Sequence, residues 1–262
     1  NFRRDWGTKR RLVLMVENRG VFAALGKWYG NVLAALANQE AAQKNAVLWD
    51  QAGAHEIHLE DKQQEEWSLH RVATVFNIKD DAGKRFRKDL SPFPTHVLAG
   101  HLLRQQMGGV SNYGAEGYFA VLTGHAYYKE IKLTGETETN LIDAGGSGFD
   151  EITSARGFDD GTSWAKTLRS MVKRDKLKPD FEAMLGWSQD QLDPAKLVLI
   201  YSFAYFSQST PERLAGFANM VRRVESSNQI PEPIEFAKLF GFDSVEALQT
   251  AWIEFIKSPE FQ

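Results

Sequence analysis

The stretch PFPTHVLAGHLLRQQMGGVSNYGAEGYFAVL, residues 92–122, decides how the chain divides. From Pro92 onward the apolar side chains recur three and four residues apart, the period of a helix with one buried face. Proline at the entry and Gly108-Gly109 at the exit bound the first helix, since proline is preset for a first helical turn and glycine accepts the left-handed backbone after the last. YGAEGYFAVLTGHAYYKEIKL then predicts a second helix. Two histidines, His96 and His101, and one glutamate, Glu116, fall on this pair.

Upstream the pattern is different. RLVLMVE, residues 11–17, reads as a strand, and VFAALGKWYGNVLAALANQEAA, with apolar residues at three and four, reads as a helix. AVLWDQAG, the alternating AHEIHLE and then WSLHRVATVFNI, dense in β-branched and aromatic residues, predict an α/β layer with several strands over residues 10–80. Downstream, TGETETNLIDAGGSGFDEITSARGFDDGTS predicts a long loop over 134–163, a length that tends to be functional or mobile.

The remainder predicts helices: SWAKTLRSMVKRD, PDFEAMLGW, DPAKLVLIYSFAYFSQS, PERLAGFANMVRRVESS, a short FAKLFGF turn and SVEALQTAWIEFIKS. Asp193 and Ser244 stand where N-caps belong, with Pro194 at a first helical position and Glu246 early in the last helix. DPAKLVLIYSFAYF is apolar nearly all round, which predicts the buried central helix. The expected organisation is therefore an N-terminal α/β lobe over 1–91 and a helical lobe over 92–262.

Composition removes several function classes. The 31 basic and 34 acidic residues, net charge −3, are scattered along 262 residues, so the continuous basic surface that nucleic-acid binding needs is absent. The one dense basic run, RRDWGTKRR, reads as a solvated terminal segment. No cysteine is present, which excludes disulfides and thiolate chemistry and leaves His, Asp and Glu as transition-metal ligands. No apolar run reaches the roughly 18 residues of a membrane span. The chain begins with Asn1, so a processed form or an excised piece is expected, with any signal peptide out of view.

A zinc endopeptidase site needs two neutral imidazoles one turn apart on a helix and a glutamate beside the first to activate bound water, the pattern HExxH. LAGHLL resembles the end of that motif with His101 as second histidine. NYGAEGYFAVL places Glu116 where a third ligand arrives from the following helix. On these residues, together with RLVLMVENRGVFAAL and the tail SFAYFSQSTPERLAGFANMV…FGFDSVEALQTAWIEFI, the chain resembles the gluzincin-type, MA-like metallopeptidases, including peptidase-like domains of exported bacterial proteins. AEGYFAVL stands in place of the usual W-x-x-E-G-x-A-x-Y.

The resemblance implies an α+β, zincin-like fold, with a small mixed β-sheet lobe packed against a mainly helical lobe as one unit. It implies export to the periplasm or beyond the cell. It also implies a departure in mechanism, because with His101 as second histidine the first ligand falls on Val97 and the general base on Leu98, neither of which coordinates zinc or moves a proton. His96 is one residue early: at about 100° per residue it stands about 140° from His101, where a four-residue spacing leaves about 40°. A local π-type bulge would bring the two together.

Three readings stay open on the residues: a peptidase scaffold with a degenerate site, an unrelated helical pair with ordinary histidines, or a zinc site of altered spacing with His96, His101 and Glu116 as ligands. The first expects no cofactor, the last zinc. An inactive domain implies binding or assembly, with a peptide, a glycan or another protein as partner. Tyr113, Tyr118 and Tyr201, with Phe119, Tyr127, Tyr128 and Tyr205, would then line a cleft between the lobes; a structural subunit of a larger complex is the remaining alternative.

Other signals weigh less. HEIHLE alternates as a strand, with His55 and Ile57 on one face and Glu56 and His58 on the other, so it is not a helical zinc motif. His125, nine residues past Glu116, reads as a surface residue beside Tyr127 and Tyr128. GGSGFD and RGFDDG lack the strand-to-helix context of a phosphate cradle. DDAGKRFRKD lacks the closing acidic residue of a calcium loop, and no serine-hydrolase nucleophile motif is present.

Overall fold

A computed structural model describes residues 10–36, 39, 42, 54–77, 92–108, 117–139 and 161–262. Glu116, Tyr113, the AVLWDQAG segment, the calcium-loop-like stretch, nearly all of the terminal basic run and most of the 134–163 loop lie outside the described residues. The chain is mixed α+β, mainly helical with one three-stranded sheet. It divides into two compact units, Asn1–Pro94 and Thr95–Gln262.

The first unit carries strand β1 (Val13–Val16), helix α1 (Arg19–Leu36), strand β2 (Ala54–His58), the short helix α2 (Asp61–Glu66) and strand β3 (Val72–Asn77). The sheet order is β1-β3-β2, with β1 parallel and β2 antiparallel to β3. A parallel pair cannot be joined by a tight turn, and α1 lies in the connection between β1 and β3. β3 is central, and Val72 to Phe76 are all buried, as expected of a strand covered on both faces. Phe22 and Tyr29 of α1 pack on Ile57, Ala73 and Val75. The Tyr29 hydroxyl accepts the His58 N–H at 3.1 Å, tying α1 to the edge strand.

HEIHLE is a strand, as its alternation requires: Ile57 is buried and His58 exposed. Helix α2 was not expected. DKQQEE has no apolar period and buries nothing; a reciprocal cap between Glu60 and Gln63 holds it, local chemistry that satisfies free backbone N–H groups without a core.

The second unit contains α3 (Pro92–Gln106, entering from the last residues of the first unit), α4 (Tyr118–Thr134), α5 (Trp164–Lys173), α6 (Phe181–Leu185), a 3-10 turn (Gln189–Gln191), α7 (Pro194–Phe206), α8 (Pro211–Ser227), α9 (Pro233–Leu239) and α10 (Val245–Lys257). Caps are where the sequence puts them. Asp193 accepts the Lys196 N–H at 2.8 Å and Ser244 the Ala247 N–H at 3.2 Å, with Pro194 opening α7. Asp180 and Thr210 cap α6 and α8 in the same way.

Helix α7 is the centre of this unit, buried from Leu197 to Ala204. Its Phe203 ring meets Phe181, Phe236 and Trp252, and the Trp252 indole N–H donates to Ser202 Oγ at 3.1 Å. Helix α4 crosses α7 at Gly124, where a Cβ would stand 2.5 Å from the Ile200 carbonyl oxygen. That glycine permits the contact between the two backbones. The second helix of the opening pair starts later than YGAEG suggests: Gly117, at φ 74°, caps it and the helix begins at Tyr118.

Candidate functional site

Helix α3 carries His96 into the interior, where it is 6% exposed. The partner it meets is Glu130, 34 residues along on α4 and fully buried. His96 Nδ1 lies 2.9 Å from Glu130 Oε2. A carboxylate only accepts, so the imidazole donates from Nδ1. Its ring also stands edge-on to Tyr127, centroids 4.5 Å apart.

The second carboxylate oxygen is equally engaged. Glu130 Oε1 accepts the Glu138 N–H at 2.9 Å and the Thr139 hydroxyl at 3.1 Å. The Tyr127 hydroxyl donates to the Thr139 carbonyl at 2.8 Å, and Thr134 Oγ1 lies 2.7 Å from the carbonyls of Glu130 and Glu136. Glu130 and Tyr127, one turn apart, therefore pin residues 137–139 onto the end of α4 while Glu130 also holds α3. A buried carboxylate is tolerated in an apolar core only when saturated in this way.

Glu130 has a signal in the sequence outside any motif. Phe119, Thr123, Ala126, Tyr127 and Glu130 recur at three and four residues, and all five are buried. A carboxylate on the apolar face of a helix needs a partner.

Of the expected zinc ligands, His96 and His101 are among the described residues and Glu116 is not. Helix α3 is regular α through His96 and His101, with no π-type bulge, so the two imidazoles stay about 140° apart. His101 is half-buried and has a contact of its own. Among the described residues no group of three or more His, Asp or Glu stands close enough to hold a metal ion. His96 and His101 do not by themselves make up a tetrahedral zinc centre, which takes three or four such donors.

Of the aromatic residues named from sequence, Tyr118 and Tyr201 belong to the core of the helical unit. Tyr118 donates its hydroxyl to the Asn228 carbonyl, joining the start of α4 to the end of α8. Tyr201 packs edge-on to Trp164 and donates to the Gln262 carbonyl at 3.3 Å; burial, with Tyr205 and Tyr128 nearby, raises its pKa.

His125 is a correction. It is not a surface residue: its ring stacks on Phe217 at 5.5 Å, and Nδ1 lies 3.2 Å from Gln208 Nε2. Burial, with a smaller contribution from the Lys129 charge, pushes its pKa down to about 3. Helix α8 supplies Phe217, a contact that nothing local to LTGHAYYKE announces.

Comparison of the chain with family models, with curated proteins and with solved structures finds no match in any of the three. The functional reading therefore rests on the residues themselves.

Proposed function

We propose that the chain is a catalytically inactive, gluzincin-like domain, zincin-like in arrangement and part of an exported protein, that acts in binding or assembly with a peptide, a glycan or another protein. The observation that supports this reading is the saturation of Glu130: its carboxylate holds His96 on one oxygen and the 138–139 backbone and hydroxyl on the other. His96, the out-of-register candidate for the missing first histidine, is tied into a structural clasp, beside Val97 and Leu98, which carry no proton and bind no metal.

The same pair favours a second reading, an active zinc peptidase with altered ligands. A carboxylate that holds one imidazole nitrogen is also how zinc-bound histidines are oriented. Zinc content by mass spectrometry after equilibration with zinc and dialysis, together with a casein-cleavage assay, separates the two. The inactive domain is expected to retain well under one zinc per chain and to leave casein intact. Stoichiometric zinc with cleavage abolished by His101→Ala overturns it.

A further inference from the structure

One face of α4 carries His125 and Tyr128, both largely covered, with Lys129 half-buried and Lys132 exposed. At about 100° per residue these four fall within an arc of about 100°, and Tyr205 of α7 faces them. The Tyr128 and Tyr205 rings are 5.1 Å apart. Lys129 Nζ lies 4.9 Å from the centre of the Tyr128 ring and Lys132 Nζ 5.5 Å from that of Tyr205. Two ammonium groups thus flank a pair of phenols, all within the helical unit.

What marks this face is that, among the described residues, its lysines and tyrosine hydroxyls have no carboxylate or hydrogen-bond partner. Among the described residues neither lysine is paired with a carboxylate, whereas Lys196, Arg223 and Lys257 each are. No hydrogen bond from the Tyr128 or Tyr205 hydroxyl is made among them either. Lys129 is half-buried, and desolvation lowers its pKa with no carboxylate to offset it. A cation held partly out of water without a counter-charge costs stability. Lys132 has an ordinary explanation, since it stands in the last turn of α4, where the helix dipole favours a cation. Lys129, nearly a turn earlier, is less well covered by it.

We infer that this face binds carboxylates and takes an acidic peptide segment. The inference rests on the binding reading above and names its partner class. An incoming carboxylate supplies a counter-charge to Lys129, accepts from the Tyr205 hydroxyl, and lays the apolar stem of an Asp or Glu side chain against the partly exposed Tyr205 ring. Lysines present separate point charges rather than the convergent fork or backbone cradle used for phosphate. The negative end of the α4 dipole also makes a dianion a poorer occupant than a series of single carboxylates.

The test uses fluorescein-labelled tetraglutamate, with tetraglutamine as the uncharged probe, in anisotropy titrations of the chelator-treated chain at low ionic strength. Wild type is expected to prefer tetraglutamate by about tenfold or more, and the preference should fade as salt screens it. The double variant Lys129→Gln/Lys132→Gln should lose that preference, and Tyr205→Phe should weaken it. Lys166→Gln/Lys173→Gln on α5, with the same charge change, should leave it intact.

Equal affinity of wild type for both probes, or equal loss in the two double variants, overturns the site. Circular dichroism establishes that each variant is folded. The outcome is separable from that of the functional reading. A chain that cleaves casein with zinc yet binds tetraglutamate through these lysines overturns only the inactive-domain reading; an inert chain indifferent to tetraglutamate overturns only this site.

Discussion

Replacing Glu130 by alanine tests the clasp directly. The substitution removes a buried carboxylate that accepts from His96 Nδ1 at 2.9 Å, the Glu138 N–H at 2.9 Å and the Thr139 hydroxyl at 3.1 Å. Each buried group left without its partner costs about 1–3 kcal/mol. With three such partners lost, a cost of about 3 kcal/mol or more is expected, a large part of the roughly 5–15 kcal/mol that stabilises a typical domain. Urea unfolding followed by circular dichroism reads the total. Amide hydrogen exchange at Glu138 reads the local effect, because that N–H donates to the Glu130 side chain. Glu130→Gln keeps an oxygen for Glu138 and Thr139 and should cost about 1–2 kcal/mol; Thr139→Val, which removes one hydroxyl, should cost about 1 kcal/mol. A Glu130→Ala variant that loses less than about 1 kcal/mol, or that leaves Glu138 exchange unchanged, would refute the clasp.

Other sites give independent checks. Gly124→Ala gains about 1 kcal/mol of helix propensity, but its Cβ would meet the Ile200 carbonyl oxygen at 2.5 Å. The neighbour is backbone and overpacking costs about 1–3 kcal/mol or more, so thermal unfolding should show a net loss. His125 has a folded pKa of about 3 against an ordinary 6.5, so the unfolded chain binds its proton first. Its contribution is complete above pH 6.5 and lost as pH falls toward 3, at up to about 1.4 kcal/mol per unit. Unfolding titrations of His125→Gln should lack that part of the acid slope, and an unchanged slope would count against the burial of the ring. Trp252→Phe removes the buried N–H bond to Ser202 and should lower the urea midpoint by about 1–2 kcal/mol equivalent, a loss that Ser202→Ala should largely share.

What could be read without coordinates was local. The caps at Asp193 and Ser244, the proline that opens α7 and Gly108 just past α3 are properties of a few neighbouring residues, and the same chemistry operates in the folded chain. The strand character of HEIHLE and the burial of DPAKLVLIYSFAYF follow from side-chain period alone. Helix α2 escaped the same reading because a cap, not an apolar face, holds it.

The partnerships were another matter. His96 and His101 stand out in the sequence because a motif names their spacing, yet the carboxylate that meets His96 is Glu130, brought there by the packing of α3 and α4. His125 is covered by Phe217 from a helix some ninety residues downstream. Tyr128 finds Tyr205, and the face that leaves Lys129 without a counter-charge among the described residues exists only once α4 lies across α7 at Gly124. The sequence by itself determined the helices, their caps and which faces are greasy, since these depend on groups within a turn of one another. Only the tertiary structure decided which polar groups share the interior, because that choice depends on where separate helices cross, and a crossing is settled by the packing of all of them together.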